Sequence, residues 1–189
     1  ATNFSFLRGA SHPEEMVARA AELGLTGIGI ADRNTLAGVV RAHVFARENR
    51  EALAGMRVVT GARLVFRDGT PDLLAYPRDR AAYGRLCRLL TTGNLRAPKG
   101  ECWLDCDDLL SFEKGLQIIA LPEATARHPR ESGDPGGARA GRPGVSASAG
   151  TTKRNVLADL RDVFGERMGI GAAATYGADM RGGLAKRAA

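Results

Sequence analysis

Residues 24–38 constrain this chain more than any other stretch, because they lay out a helix stop, a buried strand and the start of a second helix in immediate succession. Gly24 follows an amphipathic run and ends it. Residues 25–31, with Ile28 and Ile30 at their centre, then read as a short buried strand. That strand delivers Asp32 to its C-terminal end, where α/β folds place catalytic and metal-binding groups. The next residue is Arg33, a permanent cation standing where a metal site needs an imidazole.

The flanks support this layout. Ser11-His12-Pro13-Glu14 has the form of a capping box, in which the Ser hydroxyl and the Glu carboxylate satisfy backbone N–H groups reciprocally. A helix is expected to follow, with Met16, Val17, Ala20 and Leu23 as its apolar stripe. A second is expected over 36–50, with Val39, Val40, Val44 and Phe45 toward the core.

Further along, residues 56–66 read as two strand pieces joined at Gly61, where a bulge or a close backbone approach is expected. Arg67-Asp68-Gly69-Thr70 is a turn, so 71–76 should return antiparallel to 64–66. Helices are expected over 80–91, with Ala82, Leu86, Leu89 and Leu90 buried, and over 104–112. A strand follows at 116–121 and is closed by Pro122. Strands alternating with helices imply a mostly parallel α/β arrangement, with Asp32 and Arg63 near the C-terminal strand ends.

Composition limits what surrounds this pattern. A chain of 189 residues with 44% hydrophobic content supports one full core, and aromatics at 5% leave that core to aliphatic packing. No apolar run approaches the roughly 20 residues that span a bilayer. The start Ala1-Thr2-Asn3-Phe4 lacks the layout of a signal peptide, so a cytoplasmic location is expected. Cys87, Cys102 and Cys106 make no disulfide framework and fit a reducing compartment. Cys102 and Cys106 have a spacing that suits one helical face, but zinc would need a second ligand pair that the sequence does not offer, leaving ordinary half-buried thiols. The net charge of +6 is compatible with a polyanionic partner, although a high-GC genome also enriches Arg over Lys.

Residues 125–153 differ in kind. His128-Pro129-Arg130-Glu131-Ser132-Gly133-Asp134-Pro135-Gly136 opens a stretch of Ala, Gly, Arg and Ser in which Val145 is the one large apolar residue. Such a segment buries too little to offset its ordering entropy and is expected to be a disordered, low-complexity insertion. Its opening run resembles translated palindromic repeats of proteobacterial genomes; the alternative is a natural flexible loop. The domain therefore divides into an N-terminal part at 1–124, the insertion at 125–153 and a continuation at 154–189. The continuation is expected to carry a helix at 155–164, a strand at 168–174 and a last helix at 179–187.

Three stretches carry a family resemblance. They are Thr2-Asn3-Phe4-Ser5-Phe6-Leu7-Arg8-Gly9-Ala10-Ser11-His12-Pro13-Glu14-Glu15, the strand end Asp32-Arg33-Asn34, and Arg78-Asp79-Arg80-Ala81-Ala82-Tyr83-Gly84-Arg85-Leu86-Cys87. Together they resemble the N-terminal region of bacterial error-prone DNA polymerases of the C family, closely over 1 to about 123 and more loosely from 157 onward, where Thr175-Tyr176-Gly177-Ala178-Asp179 is similar to a family Leu-Tyr-Arg-Gly-Asp stretch. The resemblance implies a PHP domain (polymerase and histidinol phosphatase), a distorted (β/α)7 barrel, here incomplete. Members with an intact site hold metal ions with His, Asp and Glu at strand ends and hydrolyse phosphoesters, which requires ligands that bridge metals and activate water.

Measured against that pattern, this sequence is degenerate. The first His-x-His motif would lie on a strand that the chain, starting at Ala1, largely lacks, which would leave an exposed sheet edge and marginal stability or association. The Thr-Asp-His motif stands as Ala31-Asp32-Arg33, and the Gly-x-Glu motif as Gly61-Ala62-Arg63. Guanidinium groups stay protonated and cannot coordinate a cation, so no metal site and no catalytic residue is expected. Asp32 is expected to pair with Arg33 or Arg63 in the emptied site. His12 is expected on the surface at a helix cap, His43 half-buried as a packing residue, and His128 in the insertion.

The resemblance implies a scaffold that catalyses nothing by itself, within a polymerase for damage-induced mutagenesis and translesion synthesis. Nucleotidyl transfer, with its magnesium, would belong to a palm domain elsewhere. Implied partners are the remainder of the polymerase, DNA, accessory mutagenesis proteins and a sliding clamp, with no membrane. The alternative is a stand-alone metal-dependent PHP phosphoesterase or exonuclease. A DNA-binding module is compatible with the first reading. Its candidates are Arg78, Arg80, Arg85 and Arg88, whose spacing does not bring all of them to one helical face, so a solvated helix surface is the ordinary account.

Overall fold

The computed structural model describes residues 1–6, 8–121 and 156–171. Helix α1 (Pro13–Glu22) starts one residue later than the Ser11 cap implies: His12 is the N-cap, and the Glu15 carboxylate accepts its backbone N–H at 2.8 Å. Pro13 at the first helical position, which needs no N–H partner, fixes that frame. Glu14 is thereby released to pair with Arg41 at 2.7 Å. Val17 and Ala20 are buried, whereas Leu23 lies outside the stripe and is 62% exposed, because the helix is already closing through Gly24 at φ +73°.

Strand β1 (Gly27–Arg33) begins two residues after the expected start and leads into α2 (Ala37–Glu48). On α2 the core side is formed by Val39 and Ala42, while Val40 is exposed. Strand β2 (Arg57–Leu64) is continuous through Gly61 and pairs in unbroken parallel register with β1, Gly27 opposite Arg57 through Arg33 opposite Arg63. The expected bulge is absent; the close approach is real. The Tyr76 ring fills the space that a side chain at Gly61 would need.

The turn after β2 behaves as its sequence directs, with Asp68 accepting the Thr70 N–H at 2.9 Å and Gly69 at φ +87°. It returns β3 (Leu73–Pro77) antiparallel to β2, Leu64 opposite Leu73. Helix α3 (Arg80–Arg96) is capped by Asp79, which accepts the Ala82 N–H at 2.7 Å, and it runs well past the expected end. The short α4 (Cys106–Ser111) precedes β4 (Leu116–Ala120), and α5 (Val156–Phe164) with a 3-10 turn leads to β5 (Met168–Ile170). The expected helix at 179–187, the insertion at 125–153 and the stretch around Tyr176 lie outside the described residues.

The described strands form one sheet in the order β1-β2-β3-β4-β5. It is mixed rather than mostly parallel: β1 with β2 and β4 with β5 are parallel, while β3 runs antiparallel to both neighbours. The cause is the tight Asp68-Gly69 turn, which brings the chain straight back where a parallel connection would need a crossover. Val17, Ala20, Ile30, Val39 and Ala42 form one core under α1 and α2. Leu64, Leu73, Leu86, Leu89, Leu116 and Ile118 belong to a second. Leu160 and Phe164 of α5 enter that second core, so residues 156–164 belong to the same packing unit.

Candidate functional site

Neighbouring residues of a strand point to opposite sides of the sheet, and this alternation decides what Asp32 and Arg33 can do. Asp32, opposite Ala62 in the register, is fully buried on the helix-covered side. Its carboxylate accepts the Thr2 backbone N–H at 2.5 Å, the Ser5 hydroxyl at 2.7 Å and the Thr2 hydroxyl at 2.8 Å. Ser5 Oγ in turn accepts the Arg33 N–H at 2.9 Å. The N-terminal segment is thus tied to the end of β1. A side chain at Gly38 would press against both the Asp32 carboxylate and the Thr2 hydroxyl, so α2 can enter here only with glycine.

The expected pairing of Asp32 with Arg33 or Arg63 does not form. Arg33 and Arg63 are register partners and share the other side of the sheet. Arg63 is held by Asp72 at the start of the β3 hairpin, with Nε and Nη2 both on Oδ2, at 2.8 and 2.5 Å. That salt bridge offsets the repulsion of two adjacent guanidinium groups. A cleft of about 150 Å³ opens there, lined among others by Ser5, Arg8, Arg33, Arg63 and Asp72. Its cations are donors only, and its nearest buried carboxylate, Asp32, already has three donors. The residues present do not fit a divalent metal. Among the described residues no cluster of three or more His, Cys, Asp or Glu is placed to hold one.

Asn34 closes the strand end. It adopts φ +49°, a left-handed conformation that asparagine tolerates better than most residues. Its side chain accepts the Val65 N–H at 2.9 Å and donates to the Val65 carbonyl at 3.1 Å, while its own N–H bonds the Arg63 carbonyl at 2.9 Å. Thr2, Ser5, Asn34 and Asp72 were not singled out from sequence. The signal for the first two was the alternation itself: Asp32 on the covered face needs buried donors, and the hydroxyl-bearing N-terminal stretch supplies them.

The remaining candidates separate. His12 is exposed at the helix cap, with Nδ1 3.2 Å from Asn3 Nδ2. His43, expected half-buried, is exposed in the middle of α2. Cys87, Cys102 and Cys106 are free thiols, partly buried, and burial pushes the Cys102 and Cys106 thiols above their ordinary pKa. Arg78 and Arg80 face a groove at the opposite end of the sheet from Asp32. Arg85 is turned away from it, donating to the Lys114 carbonyl at 2.6 Å, and Arg88 is exposed without lining it.

A helix-covered, five-stranded mixed sheet with Asp32-Arg33 and Arg63 at its strand ends defines a mixed α/β fold. The sequence profile described as the PHP domain matches residues 1–171, and the chain belongs to that family. An error-prone DNA polymerase of Rhodopseudomonas palustris (strain BisB5) is 60% identical over 121 residues, covering 64% of this chain and 11% of that polymerase. One of Brucella abortus biovar 1 is 61% identical over 123 residues, covering 65% and 11%, and one of Sinorhizobium medicae is 52% identical over 128 residues, covering 68% and 11%. The chain spans about a tenth of the length of these curated relatives. A solved structure described as a candidate metal-dependent phosphoesterase of Bifidobacterium adolescentis overlaps 60% of this chain and 41% of its own, at 26% identity and a TM-score of 0.38. No described helix is long and apolar enough to cross a membrane.

Proposed function

We propose that this chain is the N-terminal PHP segment of an error-prone DNA polymerase and that it works there as a non-catalytic scaffold. The observation that carries the first half is the high identity to polymerases that continue far beyond it. What supports the second half is the chemistry of the strand ends: guanidinium groups at Arg33 and Arg63, and a buried Asp32 committed to Thr2 and Ser5. In this reading the sheet is the first part of a distorted (β/α)7 barrel, and 125–153 interrupts it. The polymerase serves damage-induced mutagenesis and translesion synthesis in the cytoplasm. Its magnesium-dependent nucleotidyl transfer lies in a palm domain outside this segment. The remainder of the polymerase, DNA, a sliding clamp and accessory mutagenesis proteins are its partners.

Two assays test this. A chimaera carrying this segment in place of the matching region of the Rhodopseudomonas palustris polymerase should support damage-induced mutagenesis, and loss of function in a stably expressed chimaera would count against the scaffold. The isolated chain should not hydrolyse phosphoesters or single-stranded DNA in manganese or zinc. Metal-stimulated turnover by the purified chain, lost on chelation and restored on adding the metal back, would establish a stand-alone phosphoesterase instead.

A further inference from the structure

At the end of the sheet away from Asp32, the C-terminal turn of α2, the start of β2 and the β3–α3 junction enclose an open groove of about 830 Å³. Arg47 and Arg50 reach it from the end of α2 and the residues just beyond, Arg57 from the first position of β2, and Arg78 and Arg80 from the start of α3. None of these five has an ion pair or a side-chain hydrogen bond among the described residues, and all are exposed. His43 adds a further donor on the same wall.

Asp79 is the one acidic residue lining the groove, and its carboxylate caps α3 through the Ala82 N–H. Elsewhere in the described structure Arg63, Arg67, Arg96 and Arg167 are each matched by a carboxylate. The groove gathers five unmatched guanidinium groups, drawn from the C-terminal part of α2 and the residues after it, from β2 and from the β3–α3 junction. Tyr83, 37% exposed, adds an aromatic ring to the same groove.

We propose that this groove binds the phosphodiester backbone of single-stranded nucleic acid, with the guanidinium groups on phosphates and Tyr83 offering a ring for base stacking. Several unpaired cations along a groove track a polyanion, and an exposed ring favours unpaired bases over a duplex. The groove's charge stands whether or not the segment belongs to a polymerase, and it shares no residue with the strand-end cleft.

The test is fluorescence anisotropy of the full chain with a labelled single-stranded oligonucleotide of about 15 nucleotides, titrated at salt from about 50 to about 200 mM. Affinity should fall steeply with salt, and Arg47→Glu or Arg78→Glu should each weaken binding by about tenfold and lessen the salt slope. Lys99→Glu, the same charge change on a residue outside the groove, should leave binding within about twofold. Tyr83→Ala should weaken the single strand more than a duplex of the same sequence. Thermal melts of each variant separate lost binding from lost folding. No binding at low salt, equal loss from Lys99→Glu and Arg47→Glu, equal competition by duplex, or equal competition by polyglutamate at matched charge would each overturn the proposal.

Discussion

Arg63 and Asp72 form a salt bridge across the β2–β3 turn, with Nη2 at 2.5 Å from Oδ2. The cation at the end of β2 has a carboxylate partner of its own. Both side chains are about one-third exposed, so the pair is worth about 0.5–1 kcal/mol. Arg63→Glu places two carboxylates together and should lower stability by more than Arg63→Met. The charge swap Arg63→Glu with Asp72→Arg should recover most of the loss in a urea-melt double-mutant cycle.

Asp32 holds the N-terminal segment by neutral donors, not by arginine. Asp32→Ala leaves the buried hydroxyls of Thr2 and Ser5 without their acceptor and should cost about 2–4 kcal/mol. Arg33→Ala, on the other side of the sheet, should cost less than about 0.5 kcal/mol. Comparable losses from the two variants in chemical denaturation would contradict this geometry.

Gly61 carries the Tyr76 ring. A Cβ there would stand 2.5 Å from both Cδ1 and Cε1 of that ring, and at Gly29 2.8 Å from its hydroxyl. Gly61→Ala should destabilise by about 1–3 kcal/mol, as overpacking does. Adding Tyr76→Ala should cancel part of that penalty, since the obstructing ring is then gone.

Acid should loosen the α3–α4 corner. Arg96 makes two hydrogen bonds to Asp108, both 2.8 Å, and Arg67 makes two to Asp105 at 2.8 and 2.9 Å. The hydrogen bond from Arg96 holds the Asp108 carboxyl below its ordinary value of 3.8. A folded-state pKa below the unfolded one gives stabilisation that is complete above about pH 4 and fades as pH falls through the depressed value. The melting temperature should therefore drop on acidification below about pH 4, and less steeply in Asp108→Asn.

Residues 156–171 return to the core of residues 1–121 through Leu160, Phe164 and the pairing of Ile118 with Met168. If 125–153 is an inserted repeat, deleting it should leave the melting temperature unchanged or raised. A marked fall would assign that segment a structural part.

Local pattern carried much of the architecture. Gly24, Asp79 and the Asp68-Gly69 turn mark element ends through backbone chemistry that operates within a few residues. Leu86, Leu89 and Leu90 of α3 fall on one face because helical spacing puts them there. Leu23 and Val40 fit the same spacing yet face solvent, since periodicity says nothing of where the covering surface stops. The site was half legible: that the strand ends carry the cations Arg33 and Arg63 needs only residue identity.

The sequence by itself determined the order of helices and strands and the permanent cations at two strand ends, because propensity, capping and protonation are properties of residues. Tertiary structure decided the partners. Asp32 went to Thr2 and Ser5 and Arg63 to Asp72, since alternation and strand register set which side chains share a face. Packing gathered Arg47, Arg57 and Arg78 into one groove, and no spacing along the chain encodes a juxtaposition made across three elements.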